Sequence, residues 1–219
     1  MNQICSPSIL YFGTPVVLIS TVNDNGSFNL APISSIFWLG YRCMIGISAT
    51  SKTTENILRS KECVLNMPSV LQVSAVDKLA LTTGSNPVPA GKLAKGYRYE
   101  ADKFGTAGLT AVSSDKVQAP RVKECPVNLE ASLSGVHPLG IDTGIDNVRC
   151  LALELTILQV HAHLSIMSEG KPDHIDPDKW RPLMMSFQKF YGLGEQVAES
   201  RLAGIPEEKY RPAEADIEH

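Results

Sequence analysis

The sequence predicts a mainly β protein, a Greek-key barrel with a few helices at its periphery. Roughly six or seven apolar segments of strand length follow one another, and they do not alternate regularly with helical segments. Short turn-like connections in the N-terminal third make the first strands antiparallel neighbours. No G-x-G-x-x-G sequence follows a strand, which argues against a doubly wound dinucleotide-binding domain.

A hairpin and a third strand are predicted near the N-terminus. Residues 15–22 have the composition of a strand, and Asn23-Asp-Asn-Gly26 supplies a turn whose Asn-Gly pair favours positive φ. Residues 28–38 form the predicted return strand, in which Pro32 indicates an edge position, a bulge or a break in the ladder. The third strand spans residues 43–48.

The later part of the chain is predicted to hold three helices and several further strands. Helices are predicted over residues 53–61 and 70–81 and from Asp176-Pro177, where an acidic N-cap precedes a proline at the first helical position. Residues 84–108, rich in Gly, Pro and Lys, are predicted to leave the sheet as a functional excursion. The further strands span residues 62–67, 109–112, 127–136 and 147–168, the last of them bending near His161.

Composition predicts one domain in a reducing compartment. The 219 residues are 43% apolar, which suits one domain over residues 1–205, and the charged tail over residues 206–219 is expected to be mobile or to lie on a partner subunit. A net charge of −3 argues against nucleic-acid binding. No apolar run approaches the roughly 18 residues of a membrane-spanning helix. Five cysteines without a C-x-x-C pair, and 41 initial residues without Lys or Arg, favour a soluble cytoplasmic protein.

Two polar segments carry the functional prediction. Residues 29–35 close the hairpin, and residues 48–56 end the third strand and open a helix. Backbone N–H groups at a helix start are unpaired, and hydroxyls with one cation beside them suit a bound phosphate. The predicted phosphate ligands are Ser48, Thr50, Ser51, Lys52, Thr53 and Thr54. The alternative is an ordinary capped helix, because Ser and Thr are common N-cap residues.

The first polar segment suits a flat ligand with a polar edge. Pro32 interrupts ladder pairing and leaves neighbouring backbone N–H and C=O groups for a ligand. The small side chains beside them would admit a ring with nitrogen and oxygen atoms along its edge, such as a flavin. The alternative is a strand with a proline bulge and surface serines. Together the two segments predict a bound phosphorylated ring cofactor.

The order of these motifs resembles the flavin reductase-like, FMN-binding split-barrel family that includes flavoredoxin. The matching segments are P-V-V-L-I-S-T-V from Pro15, N-L-A-P-x-S from Asn29, S-K-T-x-x-N-I from Ser51, V-L-N-M-P from Val64, and residues 119–130 and 175–194. The resemblance covers about residues 8 to 200. It implies a homodimer of split barrels, each binding FMN noncovalently near the dimer interface.

The resemblance also implies which residues hold the cofactor. It assigns the isoalloxazine ring to Asn29, Ala31, Pro32, Ser34 and Ser35, and the ribityl phosphate to Ser51, Lys52, Thr53 and Asn56. Relatives bring a lysine from the middle excursion and a histidine from a later loop near the flavin, and Lys92 and His137 are the candidates here. Many relatives carry a large aromatic residue near Ser35 and an arginine near residues 48–51, where this chain has small residues and Lys52.

The implied activity is the transfer of electrons from NADH or NADPH through FMN to an acceptor. No catalytic side chain is assigned, because the cofactor performs the hydride step. One alternative is a flavin-binding electron carrier without its own nicotinamide activity, and another is a split barrel that holds haem or a pyridoxal-type phosphate. His161 and His163 share one face of a predicted strand but lack an evident third ligand, so no metal is predicted.

Overall fold

A seven-stranded antiparallel sheet forms the centre of the protein, whose computed structural model describes residues 1–140 and 149–210. Its strands lie in the order β3 (Phe28–Ile33), β2 (Val17–Val22), β6 (Glu62–Met67), β11 (Val127–Leu139), β12 (Cys150–Ala162), β5 (Arg42–Ser48) and β4 (Ile36–Leu39). The edge strands β3 and β4 follow each other in the chain through Ser34 and Ser35. Gly46 N donates a hydrogen bond to Ser35 O at 2.7 Å, so this connection lies against β5. The architecture confirms the predicted mainly β class.

Smaller sheets and short helices surround the central sheet. The additional strands are β1 (Phe12–Pro15), β13 (Leu183–Ser186) and β14 (Lys189–Gly192) in one sheet, β9 (Ala111–Val112) with β10 (Arg121–Val122), and β7 (Thr82–Thr83) with β8 (Arg98–Tyr99). The α-helices are α1 (Lys52–Ser60), α2 (Val73–Leu79), α3 (Ala90–Leu93) and α4 (Lys103–Ala107). Short 3-10 helices span Val70–Gln72, Leu164–Ile166, Arg201–Gly204 and Glu207–Tyr210. Within residues 1–140 and 149–210, no helix combines the length and the apolar character needed to cross a membrane.

The central sheet separates two apolar clusters, because successive residues of a strand point to opposite faces. On β2, Ile19 packs on one face in the same cluster as Leu65 and Leu153. Leu18, its neighbour in the chain, packs on the other face in the cluster that contains Leu79 of α2. All of these side chains are fully buried. Helices α2 and α4, which contribute Leu79 and Phe104 to this second cluster, therefore cover the second face of the sheet.

The predicted strands match strands of the structure, with two corrections. The strand predicted to run to residue 168 ends at Ala162 and is followed by the 3-10 helix Leu164–Ile166. The return strand predicted over residues 28–38 is two strands, because the ladder stops at Ile33 and resumes at Ile36. Pro32 lies opposite Leu18 on the edge strand β3, where a residue without an N–H is tolerated. Strands β1, β13 and β14 were not predicted. Each has only four residues, and β1 pairs with β13 across about 170 residues of chain, whereas β13 and β14 form a local hairpin.

The helix predicted from Asp176-Pro177 is wrong. Residues 177–179 form a turn, and β13 begins soon afterwards at Leu183. The acid does act as a cap, since Asp176 Oδ1 accepts hydrogen bonds from Asp178 N at 2.9 Å and Lys179 N at 3.3 Å. The turn does not propagate into a helix because the chain must reach β13, which pairs with β1 at the far end of the sequence.

Parts of two further predictions lie outside the described residues. The strand predicted over residues 147–168 is β12, which begins at Cys150 and ends at Ala162, and residues 147 and 148 are not described. Of the predicted tail, Glu207 and Glu208 contact His174 Nδ1 at 3.0 Å and His174 Nε2 at 3.2 Å, respectively. Residues 211–219 are outside the described ranges, and the boundary at residue 205 stays a prediction.

Candidate functional site

Two adjoining spaces lie where the edge strand β3, the start of α1 and the segment from α2 to α4 meet. The small cavity has a volume of about 140 Å³, and many of the residues predicted to bind the cofactor line it. These are Asn29, Ala31, Pro32, Ser48, Ser51, Lys52, Thr53 and Lys92. The adjoining groove has a volume of about 630 Å³ and shares Pro32, Ser48 and Tyr97 with the small cavity.

Hydroxyl groups fix the start of α1 at the mouth of the small cavity. Ser51 is the N-cap residue, and its Oγ accepts a hydrogen bond from Thr54 N at 3.1 Å. Thr54 Oγ1 donates to Ser48 O at 2.7 Å, which ties the helix to the end of β5. Lys52 Nζ lies 2.7 Å from Glu55 Oε1, one turn along the helix. The helix is therefore capped, as the alternative interpretation of the sequence expected. The backbone N–H groups of its first turn have no acceptors within the helix.

Asn29 joins β3 to the start of α1. Its Nδ2 donates a hydrogen bond to Thr53 Oγ1 at 3.0 Å, and only 2% of the residue is exposed. Its Oδ1 is buried without a hydrogen-bond partner. A Cβ atom added to Gly84 would lie 2.6 Å from this oxygen and 3.1 Å from Lys52 Cγ. Glycine at position 84 therefore lets the segment after β7 approach the wall of the small cavity.

Two lysines from the segment that follows β7 complete the small cavity. Lys92 Nζ donates a hydrogen bond to Thr83 Oγ1 at 3.1 Å and lies 5.7 Å from the centre of the Tyr97 ring. Burial lowers the pKa of Lys92. Lys103, the first residue of α4, is only 3% exposed. Burial, together with the positive charge of Lys92, lowers the pKa of Lys103 to about 8, and the negative charge of Glu100 offsets part of this effect.

Lys103 was missed in the sequence analysis. No sequence pattern separates it from Lys95 in the same segment, which is exposed to solvent. Asp102 supplied the one usable indication, because it caps α4 by accepting a hydrogen bond from Gly105 N at 2.8 Å. Because α4 begins at this position, the side chain of Lys103 is buried in the protein and not exposed to solvent.

The adjoining groove is lined by predicted and unpredicted residues. Ser34 and Ser35, which connect β3 to β4, form its inner wall with Gly46 of β5. Two elements that were not predicted to be functional also line the groove. Tyr11 precedes β1, and Phe190 lies on β14, so both reach the groove through the small three-stranded sheet. A groove of this volume is within the range of about 300–1,000 Å³ that small-molecule ligands occupy.

Four predicted residues do not line either space. The first is Thr50, whose Oγ1 lies 3.4 Å from Ser48 Oγ. Thr54 is engaged in the cap described above, and Asn56 Nδ2 donates to Thr21 Oγ1 at 2.9 Å and to Asn23 Oδ1 at 2.8 Å. Asn56 therefore joins α1 to the first hairpin. His137 lies on β11, with its Nε2 3.6 Å from Glu154 Oε2, and the chain does not bring it to the other candidate residues. The cofactor contacts expected for these four residues stay predictions.

A separate cluster lies at the other end of β12. Glu130, which is fully buried, lies 2.6 Å from His161 Nε2 and accepts backbone hydrogen bonds from Asp115 N and Lys116 N. Burial alone would raise the pKa of Glu130, but the two backbone donors and the histidine outweigh it, so the pKa is lowered. The carboxyl group of Asp115 could complete a set of three metal ligands. Glu130 already has these donors, and Arg121 Nε is 3.9 Å away, so the contacts indicate a structural network.

Comparison with known proteins identifies the family. Residues 9–193 match the model of the flavin reductase like domain, and the chain belongs to this family. The chain is 33% identical over 194 residues to the uncharacterized protein YdfE of Bacillus subtilis, with 89% of this chain and 90% of that protein covered.

Solved structures confirm the split-barrel fold. Flavoredoxin of Desulfovibrio vulgaris superposes with a TM-score of 0.73 at 20% identity, covering 93% of this chain and all of that chain (100%). Nitrilotriacetate monooxygenase component B from Bacillus cereus superposes with a TM-score of 0.69 at 21% identity, covering 88% of this chain and 89% of that chain. At these identities the likeness establishes the fold, and the chemistry is argued from the residues of this chain.

Proposed function

We propose that this chain is an FMN-binding flavoprotein of the flavin reductase type. The observation that carries the proposal is that the small cavity and the adjoining groove lie side by side and share Pro32, Ser48 and Tyr97 in their linings. FMN has one phosphate at the end of a ribityl chain and a flat ring at the other end. A small cavity lined by cations beside a larger groove suits this shape.

The small cavity fits the phosphate end of FMN. Lys52 and Lys92 supply positive charge, and the hydroxyl of Thr53 and the first N–H groups of α1 supply hydrogen-bond donors. Charge-assisted hydrogen bonds are roughly twice as strong as neutral ones, so these groups would provide much of the binding energy. Asn29, with an unpartnered buried Oδ1, has an acceptor available for a hydroxyl group of the ribityl chain.

The adjoining groove fits the ring end of FMN. The edge strand β3 pairs with β2 on one side only, so its other side presents unpaired N–H and C=O groups that can pair with the polar edge of a ring. Ser34 and Ser35 are small enough to leave this edge accessible. Tyr11 and Phe190 also line the groove and provide aromatic surface against which a planar ligand can pack.

The family supports a role in electron transfer. When bound, FMN would supply the chemistry, accepting a hydride from NADH or NADPH and passing electrons to an acceptor. The residues of this chain would bind the phosphate, orient the ring along β3 and leave one side of the groove open to the donor. The alternative is an electron carrier without nicotinamide activity. The structural likeness to flavoredoxin over nearly the whole chain is compatible with this alternative.

We also propose that the protein is a homodimer. Phe37 and Leu39 on the edge strand β4 are 56% and 76% exposed, and an apolar edge strand is a surface that proteins usually cover. Light scattering after gel filtration would measure the mass directly. A monomer at micromolar concentration would contradict the proposed dimer without affecting the proposed flavin site.

Spectroscopy tests the proposed function. The purified protein, or the apoprotein after addition of FMN, is expected to show flavin absorbance and quenched flavin fluorescence. Anaerobic mixing with NADH and, separately, NADPH is expected to bleach the bound flavin. Bound FMN that neither nucleotide bleaches would support the carrier alternative. A protein that takes up no FMN, or that carries a haem or pyridoxal spectrum, would overturn the proposal.

The double variant Lys52→Ala/Thr53→Ala is expected to bind FMN at least about tenfold more weakly, because each lost charge-assisted contact contributes roughly 1.5–3 kcal/mol. Fluorescence titration of the apoprotein measures the Kd. The matched control is Lys95→Ala/Thr110→Ala, which alters an exposed lysine and an exposed threonine outside both spaces. Equal affinities for the two double variants would place the phosphate elsewhere.

A further inference from the structure

His174 contacts two carboxylates of the C-terminal segment at once. Its Nδ1 lies 3.0 Å from Glu207 Oε2, and its Nε2 lies 3.2 Å from Glu208 Oε1. The two glutamates open the 3-10 helix Glu207–Tyr210, called the tail helix below, which is separated from β14 by residues 193–206. One imidazole ring therefore joins the tail helix to the loop formed by residues 170–174.

The two contacts require two protons on the ring. An ionised carboxylate only accepts hydrogen bonds, whereas a neutral imidazole has one N–H donor and presents a lone pair on its other nitrogen. The backbone N–H of Glu208 itself, followed by the hydrogen bond and charge of His174, lowers the pKa of the Glu208 carboxyl group, although desolvation opposes them. This carboxylate is therefore ionised at neutral pH, and a ring that donates to both glutamates is an imidazolium.

The tail helix forms one side of a space between itself and the body of the protein. This space has a volume of about 570 Å³, and Tyr41, which precedes β5, and Tyr210 both line it. Tyr41, Pro172 and Asp173 also line a groove of about 800 Å³ beside the C-terminal end of β12. Because the tail helix is part of the lining, its release would open the space of about 570 Å³ to solvent.

We propose that His174 is a pH-dependent clasp, which holds the tail helix over this space while the ring carries two protons and releases it when the ring loses one. The docked state binds more protons than the released state, so docking weakens as the pH rises. Histidine is the side chain that ordinarily changes its charge between about pH 5 and 8, so release is expected within this range. The clasp is separate from the proposed flavin site, because the tail helix lines neither the small cavity nor the adjoining groove.

The other ionisable side chains around His174 do not replace it as the switch. Those that line the same space are Tyr41, Lys171, Asp173, Glu207, Glu208 and Tyr210. Lysine, aspartate, glutamate and tyrosine side chains ordinarily keep one charge state between about pH 5 and 8. The positive charge of Lys171 also favours the ionised form of Glu208. The carboxylates therefore stay available to His174 throughout this range, and the protonation of the ring decides whether they are held.

His174→Gln tests the clasp, because glutamine can donate a hydrogen bond but carries no charge at any pH. Nuclear magnetic resonance relaxation gives the backbone order parameters of residues 207–210, for which about 0.85 marks a rigid backbone and less than about 0.6 a flexible one. In the native protein these values are expected to be higher at about pH 5.5 than at about pH 7.5. In His174→Gln they are expected to be low at both. The control is His163→Gln, an exposed histidine that does not line the space under the tail helix.

The glutamates provide a second variant on the other side of the contact. Glu207→Gln/Glu208→Gln is expected to lower the ratio of docked to released tail helix at about pH 5.5 by at least about threefold, because two weak exposed ion pairs are lost together. The matched control is Glu195→Gln/Glu199→Gln, which changes two exposed glutamates of the same segment that do not line this space. Adding His174→Gln to the Glu207 and Glu208 variant should have little further effect, since both changes remove the same contacts.

The same spectra also report the protonation of the ring. At about pH 5.5 both ring nitrogens of His174 are expected to carry protons while the tail helix is ordered, and loss of one proton should coincide with loss of order. A tail helix that stays equally ordered at both pH values, or that is flexible at both, would overturn the clasp. Equal loss of order in the two double glutamate variants would assign the effect to the total charge of the segment and would also overturn it.

Discussion

Gly84→Ala is expected to weaken FMN binding by at least about tenfold. Overpacking a filled site typically costs about 1–3 kcal/mol, and about 1.4 kcal/mol corresponds to a tenfold change in affinity. The added methyl group would lie 2.6 Å from Asn29 Oδ1, well inside van der Waals contact, and 3.1 Å from Lys52 Cγ. Asn29 cannot simply move away, because it is buried and its Nδ2 is held by Thr53 Oγ1 at 3.0 Å. The displaced atoms must therefore move into the small cavity or push the segment after β7 away from it.

The matched control is Gly91→Ala, the same substitution in the same segment. A Cβ atom on Gly91 would have no heavy atom within 4 Å, and this residue lines neither the small cavity nor the adjoining groove. Its FMN affinity is expected to stay within about twofold of the native value. Far-ultraviolet circular dichroism checks that both variants keep the sheet. Native affinity in a folded Gly84→Ala protein would show that FMN does not use the space between Asn29 and Lys52.

Glu130→Ala is expected to lower the free energy of unfolding by about 3–5 kcal/mol, the cost of removing one partner from a buried charged pair. The substitution leaves Asp115 N and Lys116 N without their acceptor. It also removes the carboxylate at 2.6 Å from His161 Nε2, which leaves only Asp115 Oδ2 at 3.7 Å from this nitrogen. Urea unfolding measures this loss. Glu124→Ala is the control, because the Glu124 carboxylate is less buried and accepts a backbone hydrogen bond from Thr110 N at 2.9 Å, so about 1 kcal/mol is expected.

The stabilising effect of Glu130 is also expected to depend on pH. Its pKa in the folded protein is below the unfolded value of 4.5, so its ionised form stabilises the fold fully above about pH 4.5. This stabilisation is lost as the pH falls through the lowered folded-state pKa. The difference in unfolding free energy between the native protein and Glu130→Gln should therefore shrink as the solution is acidified below about pH 4.5. A constant difference down to low pH would mean that the charge of Glu130 contributes little.

The parts of the site that the sequence predicted well are those set by neighbours within a few residues. Ser51 caps α1 because its side chain reaches Thr54 N three residues away, and the hydroxyls around it recur within the same turn. Pro32 lies on an edge strand because it cannot donate to a ladder. Such preferences depend on local geometry, so the position of the hairpin, the start of α1 and the polar segments between them could be predicted before any packing was known.

The tertiary structure decided which of several similar residues meet. Lys95 and Lys103 lie in one lysine-containing segment, yet only Lys103 is buried in the small cavity, because α4 packs against the sheet and Lys95 does not. His137 was expected on a loop after the strand predicted over residues 127–136, but β11 continues to Leu139, and its register on β12 places His137 opposite Ala152. Contacts of this kind join residues far apart in the chain. They depend on the packing of whole elements, which local sequence patterns do not encode.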